Sequence, residues 1–315
     1  MAGFDVSVII AGYKAEDFIH HAIQSALSQD GVDVEVIVVD DCSPDDTAGA
    51  AKRRFPDEDR LIVERLGSNE GPSGARNHGL ALARGRYYAV LDADDTLVTG
   101  RLVRMVEVAE AGGYDLVADN MSKVPVPYDA DNAGPFLMPG AIGEGIDINL
   151  TTYMDPQSDT AFGAPLGYLK PLFRLETLRQ MALTYDTALR NSEDYYLVAH
   201  MLALGARFRL VPETGYNYAV QAGSESHRLG SARADAILKA DRDFVSRFRG
   251  EFDAAAQGAS DRRQKWIRKM RMIERVAEGL KARRPLDAAR AVREDPAMAP
   301  ALVDWSLEVI RKRTV

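Results

Sequence analysis

Short apolar runs alternate with helix-like segments through roughly the first 120 residues of this 315-residue chain, and this alternation constrains the fold more than any other feature. The runs are rich in β-branched and aromatic residues and are bounded by Asp, Gly or Pro, as strands are. They lie at 6–10, 34–39, 61–66, 87–91 and 114–118. Apolar residues recur at helical spacing between them, as in 18–27 and 102–109. This repetition predicts an α/β fold with a Rossmann-like, mostly parallel sheet flanked by helices, in which ligands bind beyond the carboxyl ends of the strands.

Asp92, Asp94 and Asp95 directly follow the predicted strand 87–91, so three carboxylates lie close together at its carboxyl end. Crowded carboxylates repel one another and resist burial unless a positive group lies among them. Side chains alternate along an extended backbone, which lets Asp92 and Asp94 converge. Oxygen ligands suit Mg²⁺ or Mn²⁺, hard cations that also bind phosphate. The pattern predicts a metal site for a diphosphate ligand, with an acidic amino terminus of a helix over 96–109 as the alternative.

Net charge and cysteine content exclude several classes of protein. The formal net charge of -8 gives no overall attraction for nucleic acid. Cys42 is the single cysteine, so an internal disulfide and a zinc site built from cysteines are excluded, and a reducing, cytoplasmic setting is predicted. The first residues do not have the pattern of a signal peptide, and no apolar run reaches about 18 residues. We expect a soluble protein that is at most peripheral on the inner face of the cell membrane.

Three stretches carry a resemblance to a known family: SVIIAGYKAEDFIHHAIQSALSQ, VEVIVVDDCSPDDT and NEGPSGARNHGLALARGRYYAVLDADD. In this order and spacing they resemble the amino-terminal half of family 2 glycosyltransferases, in particular the non-processive enzymes of bacterial exopolysaccharide assembly, such as the succinoglycan-type enzymes. The resemblance covers roughly residues 1–120, and a weaker one extends to about residue 228. It implies a GT-A fold in which a catalytic domain, 1–228, is divided into a nucleotide-sugar half (1–120) and an acceptor half (121–228). A helical C-terminal region, 229–315, follows.

The resemblance implies an inverting enzyme that uses Mn²⁺ or Mg²⁺ and transfers one sugar from a UDP-sugar, for which UDP-glucose is our expectation. The acceptor is expected to be a saccharide hydroxyl, on a lipid-linked oligosaccharide in exopolysaccharide biosynthesis. Ala11 and Tyr13 follow the first strand, where the Tyr13 ring would stack on uracil. Asp41 would accept a hydrogen bond from N3–H of the base. Its alternative role, with Asp40 and Ser43, is to cap a helix at 47–54.

Further site residues follow from the same resemblance. Arg76 is expected to contact the uridine or Asp41, with a solvent-exposed helix arginine as the alternative. Asp92 and Asp94 would contact the ribose and the metal, and Asp95 lies where some relatives place the ligand. His227 in SESHR is expected to close over the diphosphate or to bind the ion, and a surface-loop histidine is an equally good interpretation.

The segment NSEDYYLVA, 191–199, resembles the Glu–Asp pair of the family, whose aspartate removes the proton of the acceptor hydroxyl. This implies that Asp194 is the catalytic base and that the hydroxyl displaces UDP in one step with inversion. Without the preceding motifs, Glu193 and Asp194 would be interpreted as the charged first turn of a helix after Ser192.

The C-terminal segment 261–284 is a predicted basic amphipathic helix, with ten Lys or Arg against three Asp or Glu. One interpretation is peripheral membrane contact near a lipid-linked acceptor. The other is packing of its apolar stripe on the catalytic domain or on a second subunit of a homo-oligomer. The Pro- and Gly-rich segment 123–168 is expected to form acceptor loops.

Other classes fit the motifs less well. A dehydrogenase needs G-x-G-x-x-G after the first strand, where Gly12 stands without the other glycines. A nucleotidyltransferase usually has a basic, glycine-rich loop there, and this chain has Lys14 alone. A processive synthase would show a Gln-x-x-Arg-Trp signature, which the sequence lacks. The remaining alternative is a non-catalytic nucleotide-sugar-binding or scaffold protein on the same fold.

Overall fold

The computed structural model describes residues 3–126, 133–220 and 230–300, together with 302 and 305. The chain divides into two compact units. Unit 1 comprises Met1–Tyr153 and Gln157–Ala222, and unit 2 comprises Met154–Pro156 and Gly223–Val315.

Unit 1 is built on one ten-stranded sheet. Its strands are β1 (Val6–Gly12), β2 (Val34–Asp40), β3 (Leu61–Arg65), β4 (Tyr87–Asp92), β5 (Thr96–Leu97), β6 (Leu116–Pro125), β7 (Gly134–Pro135), β8 (Ile146–Ile148), β9 (Leu172–Arg174) and β10 (Phe208–Val220). The spatial order is β3-β2-β1-β4-β9-β6-β10-β5, with β7 beside β6 and β8 beside β10. The first four strands pair in parallel, as do β6 and β10. The short β9 lies antiparallel between β4 and β6, and the short strands β5, β7 and β8 also pair antiparallel. Because all the longer strands pair in parallel, the sheet is mostly parallel, as predicted.

Strands β1, β2 and β4 form the core of this sheet. Nearly every residue in them is buried, as expected for parallel strands covered by helices on both faces. The helices are α1 (Ile19–Leu27), α2 (Thr47–Arg54), α3 (Gly71–Leu82), α4 (Arg101–Gly112), α5 (Leu150–Met154), α6 (Pro156–Phe162), α7 (Leu175–Gln180) and α8 (Glu193–Ala203). A Cβ atom on Gly79 would lie 2.5 Å from the side chain of Ile9, so α3 approaches β1 closely and places its first turns beside the strand ends.

The helix predicted over 96–109 begins later than expected. Thr96 and Leu97 form β5, which pairs with Asn217 and Tyr216 of β10. Helix α4 starts only at Arg101, after Gly100 at a φ of 77°. The interpretation of the three aspartates as the amino terminus of that helix is therefore wrong, because a strand and a left-handed residue separate them from it.

Unit 2 contains α9 (Ser231–Phe248), α10 (Ala254–Lys281) and α11 (Pro285–Glu294). Asp253 caps α10 by accepting a hydrogen bond from the N–H of Ala256 at 2.8 Å. Apolar residues of α10 pack within the unit in a cluster of Met272, Val276, Ala288, Ala291 and Met298.

Much of the predicted basic face of α10 is ion-paired inside unit 2. Arg263 pairs with Asp241 of α9, and Arg268 pairs with Asp295 after α11. Arg275 pairs with Glu294. The apolar cluster and these ion pairs together account for the amphipathic pattern of α10. Membrane contact and oligomer formation stay predictions. No helix among the described residues combines the length and the hydropathy that crossing a bilayer would require.

Candidate active site

Ala11 and Asp92 lie side by side where β1 and β4 end, because the two strands pair in parallel with these residues opposite each other. Tyr13 follows β1, and 49% of its surface is exposed. The Nζ atom of Lys14 lies 5.4 Å from the centroid of the Tyr13 ring. The ring is open to a ligand, as stacking on a base requires, and that role stays a prediction.

Asp41 binds the amino terminus of α3. Its carboxylate oxygens accept hydrogen bonds from the N–H groups of Glu70 (2.7 Å) and Gly71 (2.9 Å). The alternative in which it caps α2 with Asp40 and Ser43 is wrong, because Asp41 binds α3 and Asp40 accepts the N–H of Ser43. Burial raises the pKa of Asp41 despite the two hydrogen bonds.

Arg76 is buried in α3 and faces three carboxylates. Its Nη2 atom lies 2.8 Å from Asp92 Oδ1, and its Nη1 atom lies 2.5 Å from Glu193 Oε1 and 3.3 Å from Asp194 Oδ1. Only 5% of the side chain is exposed, so the alternative of a solvated helix arginine is wrong. Its ion-pair partners do not include Asp41, so the predicted contact with Asp41 is wrong, and contact with the uridine stays a prediction. Arg76 instead joins the end of β4 to the start of α8.

Lys170 lies between the same two elements and is absent from the residues predicted from sequence. Its Nζ atom lies 2.9 Å from Asp92 Oδ2 and 2.9 Å from Asp194 Oδ2. Together, Arg76, Asp92, Lys170, Glu193 and Asp194 form what we call the charge network. A signal for Lys170 was present in GYLKPLF, because a lysine among apolar residues that become buried requires a charged partner.

The charge network sets the ionisation of its members. Burial alone would raise the pKa of Asp92, but Lys170 and then Arg76 outweigh it and hold this pKa below its usual range. Burial opposes the ammonium of Lys170, but Asp194 and Asp92 outweigh it and raise the pKa above its usual value. At neutral pH the network therefore contains an ionised Asp92 and a protonated Lys170.

Asp194, like Glu193, lies in the first turn of α8 and belongs to this network. Its Oδ2 atom accepts a hydrogen bond from Lys170, and its buried Oδ1 atom accepts none from the described residues. Ser192, which precedes the helix, has a φ of 65° and makes no capping hydrogen bond with its side chain. Glu193 and Asp194 do form the charged first turn of α8 after Ser192, but Ser192 does not cap it with its side chain, and both carboxylates also face Arg76.

Asp94 and Asp95 have opposite environments although they are adjacent. The side chain of Asp95 is buried and accepts hydrogen bonds from the hydroxyl of Tyr216 (2.6 Å) and the N–H of Ala219 (2.8 Å). Asp94 is exposed and makes no side-chain hydrogen bond to another residue in the described part of the chain. Desolvation, followed by the charge of Asp92, raises the pKa of Asp94. Desolvation and both neighbouring aspartates raise the pKa of Asp95 well above its usual value.

These environments decide which carboxylate fits a divalent cation. No other residue in the described part of the chain donates a hydrogen bond to the Asp94 carboxylate, and a nearby positive charge would offset the desolvation and the Asp92 charge that raise its pKa. The carboxylate of Asp95 already accepts hydrogen bonds from Tyr216 and Ala219 of β10. Among the residues that the structure describes, no group of three or more His, Cys, Asp or Glu is arranged to hold a metal, and a cation shared with a diphosphate needs fewer protein ligands. His227 lies outside the described residues.

Comparison with known proteins assigns the fold and the family. The model of "Glycosyl transferase family 2" matches residues 7–138. Succinoglycan biosynthesis protein ExoO of Rhizobium meliloti (strain 1021) is 38% identical over 93% of this chain and 82% of its own. UDP-Glc:alpha-D-GlcNAc-diphosphoundecaprenol beta-1,3-glucosyltransferase WfaP of Escherichia coli is 30% identical over 70% of this chain and 79% of its own.

A solved structure has the same fold. TarS residues 1–349 of S. aureus, in complex with UDP-GlcNAc, superposes with a TM-score of 0.61 over 91% of this chain and 90% of its own, at 16% sequence identity. The GT-A architecture predicted from the sequence is thereby confirmed. The chain belongs to glycosyltransferase family 2, and it is a glycosyltransferase.

Proposed function

We propose that this protein is a metal-dependent, inverting glycosyltransferase that moves one sugar, glucose in our proposal, from a UDP-sugar to a saccharide hydroxyl. One observation carries the proposal. Asp92, at the donor end of the sheet, and Asp194, the candidate base, are joined through the same two cations, Arg76 and Lys170. A donor residue and a base therefore lie across one small space, as a transfer between two bound substrates requires.

The nucleotide half of the site follows from the strand ends. Tyr13 offers an exposed ring for the base, and Asp41 is a buried acceptor beside the loop that begins α3. The Asp41 oxygens already accept two backbone N–H groups, and each has a second lone pair for N3–H of uracil. Ala11 lies beside Asp92, and in this proposal Asp92 binds the ribose.

Asp94 would hold the divalent cation, Mn²⁺ or Mg²⁺, through its free oxygens. When bound, this ion neutralises the charge that develops on the diphosphate as UDP leaves. Asp95 keeps the turn in place through Tyr216 and Ala219, so we assign it a supporting role in place of the predicted ligand role. The buried Arg76 adds a fixed positive charge near the same end of β4.

Asp194 acts as the base that accepts the proton of the attacking hydroxyl. The hydroxyl oxygen bonds to the anomeric carbon as the bond from that carbon to the diphosphate oxygen breaks, so the configuration inverts. Glu193 and Asp92 are both bound to Arg76, which leaves Asp194 Oδ1 as the buried carboxylate oxygen of the charge network without a hydrogen bond from described residues.

The relatives support the choice of substrates. The name of WfaP states a UDP-glucose donor and an acceptor linked to diphosphoundecaprenol, and ExoO is named for succinoglycan biosynthesis. We therefore propose a lipid-linked oligosaccharide acceptor in exopolysaccharide biosynthesis, at the inner face of the cell membrane.

The test is release of UDP from UDP-glucose by the purified protein with Mn²⁺, first with water as the acceptor and then with oligosaccharide acceptors. We expect Asp194→Asn to lower the rate by about 10²–10⁴-fold while UDP still binds. The exposed Asp57 supplies the matched control, Asp57→Asn, which should keep the wild-type rate. An Asp194→Asn variant as active as the wild type would contradict the assignment of the base.

A further inference from the structure

We propose that Lys170 is a positioning residue of the transfer reaction, which holds the base Asp194 and the donor-side Asp92 in one fixed arrangement. The inference rests on the proposed function, because it takes Asp194 as the base. Lys170 would act by positioning Asp194, and Asp194 would still accept the proton.

The contacts of Lys170 suit such a role. One ammonium group lies 2.9 Å from an oxygen of Asp92 and 2.9 Å from an oxygen of Asp194. The lysine side chain is 10% exposed, so these ion pairs are shielded from water and are stronger than surface pairs. Because both bonds use the same nitrogen, movement of either carboxylate is coupled to the other.

A buried side chain fixes the main chain of Lys170. Its carbonyl oxygen accepts a hydrogen bond from Arg101 Nη2 at 2.6 Å. Arg101 is fully buried and forms an ion pair with Asp119 at 2.8 Å. The neighbours Leu169 and Leu172 are buried as well. An anchored backbone leaves the lysine side chain few alternative positions, which is what precise placement of a catalytic group requires.

The charges around Lys170 explain why an apolar residue would not serve. Two cations, Arg76 and Lys170, face three carboxylates, Asp92, Glu193 and Asp194. Without the lysine, Arg76 alone would face all three, and Asp194 Oδ2 would lose its hydrogen bond. A buried carboxylate that loses a hydrogen-bond partner reorients toward another one. That change would move the base out of its fixed position.

The experiment compares Lys170→Met, Asp194→Asn and the double variant. Methionine is an unbranched side chain one atom shorter than lysine and carries no charge. Lys52→Met, at an exposed lysine of α2, is the control. Calorimetric titration of UDP with Mn²⁺ measures donor-site binding. UDP release from UDP-glucose, UDP-galactose, UDP-GlcNAc and UDP-glucuronic acid measures turnover, with the fastest wild-type donor carried forward.

Asp92 keeps its ion pair with Arg76 when Lys170 is removed, so we expect Lys170→Met to bind UDP within roughly threefold of wild type. Asp194 loses the hydrogen bond to its Oδ2 atom, so kcat should fall by about 10²-fold with little change in the donor KM. Added to Asp194→Asn, Lys170→Met should cause almost no further loss, because a residue that acts through the base has no effect once the base is gone. Should Lys170→Met fail to fold, Lys170→Gln carries the same expectations.

Wild-type kcat in both Lys170 variants, or an equal loss of rate with and without Asp194, would overturn the inference while leaving the proposed function intact. A wild-type protein that binds no UDP and releases none from any of the four donors would contradict the proposed function, and this inference with it.

Discussion

The hydroxyl of Tyr216 in β10 donates a hydrogen bond of 2.6 Å to Asp95, a residue 121 positions earlier in the sequence. The same hydroxyl accepts a hydrogen bond from the N–H of Asp92 at 3.1 Å. Tyr216 thus holds both ends of the turn that follows β4. Asp94, between them, points away from these contacts and is exposed, so one turn provides a rigid support and a free carboxylate.

This division of roles predicts different consequences for the two adjacent aspartates. Asp95→Ala leaves the buried hydroxyl of Tyr216 and the N–H of Ala219 without their acceptor, so the free energy of unfolding should fall by about 1–3 kcal/mol. Asp94→Ala removes no side-chain hydrogen bond to another described residue and should change the free energy of unfolding by less than about 0.5 kcal/mol. Urea unfolding followed by circular dichroism measures both. Equal destabilisation by the two variants would show that Asp95 has no supporting role.

The buried Arg101 should be among the most sensitive positions of unit 1. Arg101→Met leaves Asp119 buried without a cation and frees the carbonyl of Lys170, which should cost about 3–5 kcal/mol of stability. Arg104→Met, one turn further along α4, is the matched control and should cost less than about 0.5 kcal/mol. Thermal unfolding compares them, and similar melting temperatures for the two variants would exclude a structural role for the Arg101–Asp119 pair.

The affinity for the uracil ring should depend on pH, because Asp41 accepts its N3–H. The pKa of Asp41 is raised by burial, so as pH falls it becomes protonated at a higher pH than an ordinary aspartate, whose pKa is about 3.9. The ionised form accepts N3–H of uracil. Affinity should therefore be constant near neutral pH and fall as the pH drops through the raised pKa.

Uridine in the presence of chelator is the suitable probe for this dependence, since it has no diphosphate and needs no metal. Titrations from about pH 8 down to the lowest pH at which the protein stays folded should show weakening at the acidic end for the wild type. Asp41→Asn should bind uridine weakly with no such pH dependence. A variant that keeps the wild-type pH dependence would mean that another group controls it.

The sequence predicts the first four strands and the strand-end motifs well, because each strand there is a continuous apolar run bounded by turn residues. It predicts neither β9 nor β10. β9 has three residues, too few for a periodic pattern, and its antiparallel position between β4 and β6 depends on contacts distant in sequence. The predicted strand 114–118 extends to Pro125 as β6, because it pairs along its length with β10.

The candidate site shows the same limit. Asp92, Asp94 and Asp194 are identifiable because their motifs are local. The partners of Arg76 are not, since Glu193 lies 117 positions away and nothing near Arg76 in the sequence indicates it. Lys170 is isolated in an apolar segment and becomes interpretable only when β4 and α8 are placed around it. The sequence also does not show that Asp95, and not Asp94, accepts a hydrogen bond from Tyr216. Tyr216 lies on β10, a strand that the sequence did not predict.

The central claim is a UDP site that depends on a metal ion and on Asp94, and calorimetric titration of UDP tests it most directly. The wild type should bind UDP with Mn²⁺ present and lose most of that affinity when a chelator replaces the ion. Asp94→Asn should bind weakly under both conditions while unfolding at the wild-type temperature. UDP binding that is unchanged by chelator and by Asp94→Asn would contradict the metal site, and no UDP binding under any condition would contradict the proposed donor.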